Sequence, residues 1–109
     1  MGEKEINQGE IYWSCQSSIK GHIQKGSRPY LVISSRNTKG YVTILPVTSK
    51  IKRIANRLDI KVKGRNNQVL VDQPQTALIS TLGRYFGKLK PEEVNEVLVA
   101  MFDYFSCFK

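Results

Sequence analysis

The sequence has few of the residues on which secreted proteins and metalloenzymes depend. Its 109 residues include two cysteines, one histidine and one tryptophan. Cys15 and Cys107 lie near opposite ends of the chain, and neither has a second cysteine at a metal-binding spacing. We therefore expect both thiols to be reduced and partly buried, with no disulfide between them.

Long hydrophobic runs are also missing. No window approaches the roughly 18 consecutive apolar residues that predict a membrane-spanning helix. The first ten residues, MGEKEINQGE, are charged and polar where a signal peptide needs an apolar stretch. These absences favour a cytoplasmic protein with no membrane partner. The length and a hydrophobic content of 40% predict one domain over residues 1–109.

Acidic residues are scarce in the middle of the chain. From Ile11 to Lys90 there are 15 Lys and Arg residues against two acids, Asp59 and Asp72, which gives this span a net charge of +13. The whole chain carries +8. Such a positive field favours a polyanion or an acidic protein as the partner, although a merely basic surface is the simpler alternative.

Several enzyme motifs are absent as well. The sequence has no Walker-type glycine-rich loop, no HExxH, no Ser-His-Asp order and no cluster of zinc ligands. We therefore expect neither a metal nor another cofactor.

The apolar residues recur mainly with the period of two that is typical of strands. The segment GEIYWSCQ alternates Ile11, Trp13 and Cys15 with polar neighbours, which predicts a strand with one buried face. RPYLVISS and GYVTILPVTS are separated by the turn-forming RNTKG and predict antiparallel neighbours. KIKRIANR is basic and has no regular apolar pattern, whereas LDIKVK again alternates apolar and charged residues. GRNNQ predicts a turn, and VLV predicts a short core strand.

The period changes to that of a helix near the C-terminus. Pro91 suits a first helical position, and Glu92 and Glu93 favour the positive end of the helix dipole. The predicted apolar face contains Val94, Val97, Leu98, Met101 and Phe105. With roughly five to seven short strands before this helix, we predict an α+β, mainly β fold, a small and partly closed antiparallel β-barrel with a C-terminal helix.

Polar residues follow several of the predicted strands, where loops on a rigid scaffold can build a site. They are His22 and Arg28 around the first loop, Thr48 and Ser49 after the third strand, and Asp72 and Gln73 after the fifth. Each also has a structural interpretation. Arg28 can pair with a carboxylate, His22 can be a solvated loop residue, Thr48-Ser49 is a common step into a turn, and Asp72 can hold a turn.

These residues fall in three of five stretches that together resemble the MazF/PemK family of toxin endoribonucleases from bacterial toxin–antitoxin pairs. The stretches are GEIYW at 9–13, GHIQKGSRP at 21–29, PVTS at 46–49, DQPQT at 72–76 and GKLKPEE at 87–93. The chain departs from the family pattern in having Ile23 for a usual Glu, Leu70 for an arginine of the PemK branch, and Gln75 for a usual Arg or Lys.

The resemblance implies a Src-homology-3-like barrel of the MazF/PemK/CcdB-like toxin type. It also implies a homodimer, a single-stranded RNA substrate, and an antitoxin partner whose acidic tail occupies the basic groove. The implied reaction is metal-independent attack of a 2′-OH on the adjacent phosphate. We expect Arg28 to stabilise the phosphorane charge and Thr48 to bond the phosphate or the 2′-OH.

Proton transfer and substrate contacts are assigned to other residues. His22 is the candidate acid or base, because its ordinary pKa lies near neutrality. Asp72 is expected to contact or orient RNA first and to act as a base second. The expected RNA-binding residues are Gln24, Lys25, Ser49, Lys50 and Gln73. Two alternatives stay open, a toxin of the same fold that poisons gyrase by protein binding and a non-catalytic RNA- or DNA-binding barrel.

Overall fold

The computed structural model describes residues 5–16, 27–36 and 38–106. These residues form seven strands, within the predicted range of five to seven, followed by the predicted helix. The strands are β1 (Glu10–Ser14), β2 (Arg28–Val32), β3 (Tyr41–Thr48), β4 (Arg57–Val62), β5 (Arg65–Leu70), β6 (Gln75–Leu78) and β7 (Leu82–Lys88), and the helix is α1 (Pro91–Phe105). A 3₁₀ turn, Ile79–Thr81, joins β6 to β7.

The strands pair in the spatial order β4-β5-β3-β2-β1-β7, and all of these pairings are antiparallel. The eight-residue β3 is the centre of the sheet. One of its edges pairs with β2 as predicted, while the other pairs with β6 over its first half and with β5 at its end. The described sheet is thus an open path between β4 and β7, and the α+β, mainly β class with a barrel-like fold is confirmed.

Both faces of the central strands are buried, because a hydrophobic cluster packs against each face. Ile11 of β1 and Leu31 of β2 belong to the cluster that also holds residues of α1, whereas Tyr12 and Tyr30 belong to the opposite cluster. Our prediction of one buried face for β1 is therefore wrong. Tyr12 is buried because its ring packs in the second cluster while its hydroxyl donates to Glu10 Oε1 at 2.8 Å.

The burial predicted for Cys15 is also wrong, because β1 ends at Ser14 and Cys15 is exposed. Its Sγ lies 3.5 Å from Ser27 Oγ. Within the described residues Cys15 forms no disulfide, and Cys107 lies outside them.

The hairpin between β4 and β5 is tighter than the sequence suggested. Only Lys63 and Gly64 form the turn, and both have positive φ, 53° and 79°, as a two-residue hairpin turn requires. Val62 then pairs directly with Arg65. The segment GRNNQ is therefore mostly strand, and β5 begins at Arg65 rather than at Val69.

The helix begins at Pro91, as predicted, and Lys90 N donates to Glu93 Oε1 at 2.8 Å, which satisfies one of the amides at the helix start. Val94 and Val97 are buried, but Phe105 is 56% exposed, so the apolar face is shorter than predicted. Among the described residues, no helix is both long and apolar enough to cross a bilayer.

Candidate functional site

Arg28 and Thr48 come together at one edge of the sheet because of strand register. Tyr30 of β2 pairs with Pro46 of β3, and Arg28 and Thr48 each lie two residues beyond that pair, at the same end of neighbouring strands. Both line a hollow of about 620 Å³, which we call the Arg28 hollow. Its other described lining residues are Trp13, Ser27, Pro29, Val47, Ser49, Lys50, Arg65, Asn66, Asn67 and Phe86.

The described lining of the Arg28 hollow is positively charged. It includes the cations Arg28, Lys50 and Arg65 and no carboxylate. The single ion pair within the described residues joins Arg53 to Asp59, at 3.1 Å, and neither of these lines the hollow. The structural alternative for Arg28, a salt bridge to a carboxylate, is thus not realised in the described part of the chain.

The hydroxyl of Thr48 is held in place by the turn that follows β3. Lys50 N donates to Thr48 Oγ1 at 3.1 Å. Because this bond uses the oxygen as an acceptor, it leaves the hydroxyl hydrogen for another partner. Thr48 is half-buried. The same turn places Lys50 beside it, so a hydroxyl donor and an ammonium group face one hollow.

One wall of the hollow is aromatic. Trp13 and Phe86 pack edge to face, with ring centroids 5.3 Å apart and an interplanar angle of 82°, a favourable geometry for aromatic pairs. Both rings are partly exposed, so Trp13 is less buried than the alternation of GEIYWSCQ predicted. Tyr85 instead packs against the ring of the buried Tyr12, at 5.7 Å.

The structure brings together four of the residues proposed from the sequence, Arg28, Thr48, Ser49 and Lys50. Three others, His22, Gln24 and Lys25, lie outside the described residues, as does Ile23. Leu70, at the position of the PemK arginine, is buried.

Asp72 and Gln73 are placed elsewhere. They lie in the turn between β5 and β6, and neither lines the Arg28 hollow. Asp72 Oδ1 accepts a hydrogen bond of 3.0 Å from Asn56 Nδ2. This position gives no support to Asp72 as a base within the hollow, because Asp72 lies outside the described lining and its Oδ1 bonds to Asn56.

Sequence reasoning missed Arg65, Asn66 and Asn67, which join the hollow from the start of β5. The interpretation of GRNNQ as a turn hid them. The signal that could have revealed them is Lys63-Gly64, a dipeptide suited to a two-residue hairpin turn. Such a turn extends the strand back to Arg65 and places it beside the end of β3.

A buried amide network fixes the segment after Lys50. Gln68, only 1% exposed, accepts from Lys52 N at 3.0 Å and donates to Lys52 O at 3.0 Å. Arg57 Nη1 donates to Lys50 O at 3.0 Å and to Gln68 Oε1 at 3.3 Å. The backbone of this basic segment is therefore tied to β4 and β5 at two points.

Three side chains near these elements have shifted pKa values. Burial and the hydrogen bond to Glu10 raise the pKa of Tyr12 well above its ordinary value. Burial also raises the pKa of Tyr30, against the opposing effect of the nearby Arg28. The hydrogen bonds from Gln68 and Arg53 lower the pKa of Asp59. Both tyrosines are thus neutral at physiological pH, and Asp59 is ionised.

No group of three or more His, Cys, Asp or Glu side chains within the described ranges is placed to hold a metal ion. The Arg28 hollow offers guanidinium, ammonium, hydroxyl and amide groups, which bind phosphate oxygens and base edges rather than cations.

Comparison with known families gives a match over most of the chain. Residues 7–102 match the family described as PemK-like, MazF-like toxin of type II toxin–antitoxin system. The chain belongs to this toxin family. The match spans every strand and most of α1, including the whole described part of the Arg28 hollow. Comparison with curated protein sequences finds no significant relative.

Solved structures show the same fold at low sequence identity. The MazE–MazF complex from Deinococcus radiodurans (Form-II) matches at a TM-score of 0.76 and 21% identity, over 97% of this toxin and 100% of that chain. MazF from the same organism (Form-I) matches at 0.75 and 23%, over 94% and 97%. An endoribonuclease in complex with its cognate antitoxin, from a mycobacterial species, matches at 0.74 and 20%, over 96% and 99%.

Proposed function

We propose that this toxin is a sequence-selective endoribonuclease that cuts single-stranded mRNA in the cytoplasm without a metal ion. The observation that carries the proposal is the placement of Arg28 and Thr48 at the same end of neighbouring strands, in a hollow whose described lining has three cations and no carboxylate. A polyanion with unpaired bases suits both the charge of this hollow and its aromatic wall.

The reaction forms a bond between the 2′-oxygen and phosphorus and breaks the bond between phosphorus and the 5′-oxygen. The products are a 2′,3′-cyclic phosphate and a 5′-hydroxyl. As the nonbridging oxygens gain charge, the guanidinium of Arg28 binds them and remains protonated throughout. The hydroxyl of Thr48 donates to the same phosphate. Lys50 and Ser49 hold the RNA strand on either side of this phosphate.

Two protons move in this reaction, one from the 2′-OH and one to the 5′-oxygen. The described lining has no imidazole or carboxylate to carry them. His22, which lies five residues before Ser27 in the chain, is our proposed proton carrier, and Gln24 and Lys25 are proposed RNA contacts. No step is assigned to Asp72 or Gln73, which we keep as RNA contacts outside the hollow.

We further propose that the toxin is a homodimer and that an antitoxin with an acidic tail blocks its basic groove. The similar structures of MazE–MazF and of an endoribonuclease with its cognate antitoxin support an antitoxin partner. The charge of +13 between Ile11 and Lys90 supports an acidic tail as the inhibitory segment. Sedimentation of the purified toxin tests the dimer.

Incubation with a long single-stranded RNA in EDTA tests the proposed activity, with the 5′ ends of the fragments mapped. We expect discrete cuts at a short recurring sequence. Arg28→Ala should cut about 10²–10³-fold more slowly, the usual loss when a donor to a developing oxyanion is removed. Arg36→Ala, which removes an exposed arginine outside the hollow, is the matched control and should cut normally.

Intact RNA in the presence of a folded wild-type protein would overturn the proposal. The result would favour a toxin that acts by protein binding, or a non-catalytic nucleic-acid binder. Equal cleavage by Arg28→Ala and Arg36→Ala would leave the activity but remove Arg28 from its mechanism.

A further inference from the structure

A second hollow lies beside the Arg28 hollow, and the proposed chemistry does not use it. Its volume is about 570 Å³. Trp13 and Ser27 line both hollows, and Ser14, Cys15, Thr81, Gly83 and Arg84 line only the second. The two hollows are therefore neighbours that share Trp13, and Arg84 belongs to the second alone.

An irregularity in strand pairing lies at the second hollow. Tyr12 pairs with Tyr85 and Ser14 pairs with Leu82. Two residues of β7, Gly83 and Arg84, therefore lie opposite the single residue Trp13. This arrangement is a β-bulge, a feature that re-aims side chains and is frequent beside functional sites.

Gly83 allows the two strands to approach closely at the bulge. A Cβ atom at this position would lie 3.1 Å from the carbonyl oxygen of Trp13, tighter than ordinary van der Waals contact. A side chain at this position would therefore crowd the backbone of Trp13.

Hydrogen bonds fix one wall of the second hollow. Ser14 Oγ donates to Thr81 O at 2.7 Å. Gln16 Nε2 donates to Ser14 Oγ at 2.7 Å and to Thr81 Oγ1 at 2.9 Å. Because these bonds join the end of β1 to the turn before β7, the wall is formed before any ligand arrives.

Arg84 gives the second hollow its charge. Its side chain is exposed, and it forms no ion pair with the described part of the chain. No acidic residue belongs to the described lining. An unpaired guanidinium beside an accessible aromatic ring is the combination that binds a backbone phosphate and stacks its base.

We propose that the second hollow is a further nucleotide subsite, in which Arg84 binds an RNA phosphate and Trp13 stacks the attached base. The RNA strand would then pass over Trp13 from the Arg28 hollow to the second hollow. This inference rests on the proposed RNA-cleaving function, because it concerns a neighbouring nucleotide of the same substrate.

A binding experiment tests the subsite separately from the chemistry. The probe is a ten-nucleotide RNA centred on the mapped cut site, with 2′-O-methyl groups that block the nucleophile. Its affinity is measured across a range of salt concentrations for wild type, Arg84→Ala and Arg84→Lys. Lys88→Ala is the matched control, since Lys88 is an exposed cation of the same strand outside both hollows.

We expect Arg84→Ala to bind about tenfold more weakly than wild type, and the slope of log affinity against log salt to be smaller by about 0.7, the value for one phosphate on a single strand. Arg84→Lys should restore the slope because it restores the charge, and Lys88→Ala should match wild type. Circular dichroism verifies that each variant is folded.

Equal affinity and equal salt slope for Arg84→Ala and Lys88→Ala would overturn the subsite. If the wild type still cuts RNA, the proposed function survives that result. If the wild type neither cuts nor binds RNA, the proposed function fails, and the subsite fails with it.

Discussion

Gln68 and Asp59 lie directly opposite each other on β5 and β4, and Gln68 Nε2 donates a hydrogen bond of 2.7 Å to Asp59 Oδ1. With its bonds to Lys52 and Arg57, the Gln68 amide fills both donor and both acceptor positions. A fully satisfied buried amide of this kind rigidifies the elements that it joins. In this toxin the Gln68 amide joins the sheet to the segment after Lys50, which is one of the residues that line the Arg28 hollow.

Replacing Gln68 should therefore destabilise the protein, because this one side chain makes all of these hydrogen bonds. We expect Gln68→Leu to lower the free energy of unfolding by about 1–3 kcal/mol, because it removes the bonds to the Lys52 backbone, to Asp59 and to Arg57. Urea denaturation measures this change. Asn95→Leu, at an exposed position of α1, is the control and should stay within about 0.5 kcal/mol of wild type. Equal midpoints for the two variants would show that the network contributes nothing.

The pKa of Asp59 should report on the same network. The hydrogen bond from Gln68 is the main cause that holds this pKa below 3.8. In Gln68→Leu the pKa should therefore rise toward 3.8, while the bond from Arg53 keeps part of the shift. A carboxyl-detected NMR titration measures both values. An unchanged pKa in the variant would assign the whole shift to Arg53.

The lowered pKa of Asp59 also predicts how stability depends on pH. Because the folded state favours the ionised carboxylate, its contribution is complete above the unfolded value near 3.8 and is lost as pH falls through the lower folded pKa. Asp59→Asn should therefore lose less stability than wild type as the pH is lowered below about 4. Urea midpoints at several acidic pH values provide the comparison, and parallel curves for the two proteins would contradict it.

Gly87 is required by close packing rather than by its backbone conformation. A Cβ at this position would lie 2.6 Å from Val62 Cγ1, and Val62 is a stiff, β-branched side chain buried in the core. Gly87→Ala should destabilise the protein by about 1–3 kcal/mol, as overpacking usually does. In a Val62→Ala background the same change should cost clearly less. Additive effects in this double-mutant cycle would show that the two positions do not interact.

The elements that were predicted correctly are those with strong local signals. Pro91, the acidic first turn and the spacing of Val94 and Val97 were sufficient to locate α1. The β2–β3 pair followed from two β-branched runs with a turn between them. The one-sided reading of β1 failed because alternation cannot reveal that a second cluster, containing Tyr12, covers the other face.

Residues of the Arg28 hollow were proposed from the sequence only where they belong to a recognised stretch or directly follow one. Arg28, Thr48 and Ser49 belong to such stretches, Lys50 follows one, and register brings them to one edge. Arg65 was missed because its place in the hollow depends on a two-residue turn at Lys63-Gly64. Arg84 of the proposed subsite was not named from the sequence, because the bulge opposite Trp13 depends on pairing between distant strands, which no local pattern encodes.

The central claim is that a 2′-OH bound in the Arg28 hollow is the nucleophile. The most direct measurement compares two RNA oligonucleotides that carry the mapped cut site and differ in one atom, a ribose or a 2′-deoxyribose on the 5′ side of the cut. The account predicts cleavage of the ribose oligonucleotide in EDTA, with a 2′,3′-cyclic phosphate on the product, and no cleavage of its 2′-deoxy counterpart. Cleavage of both at the same position would contradict it.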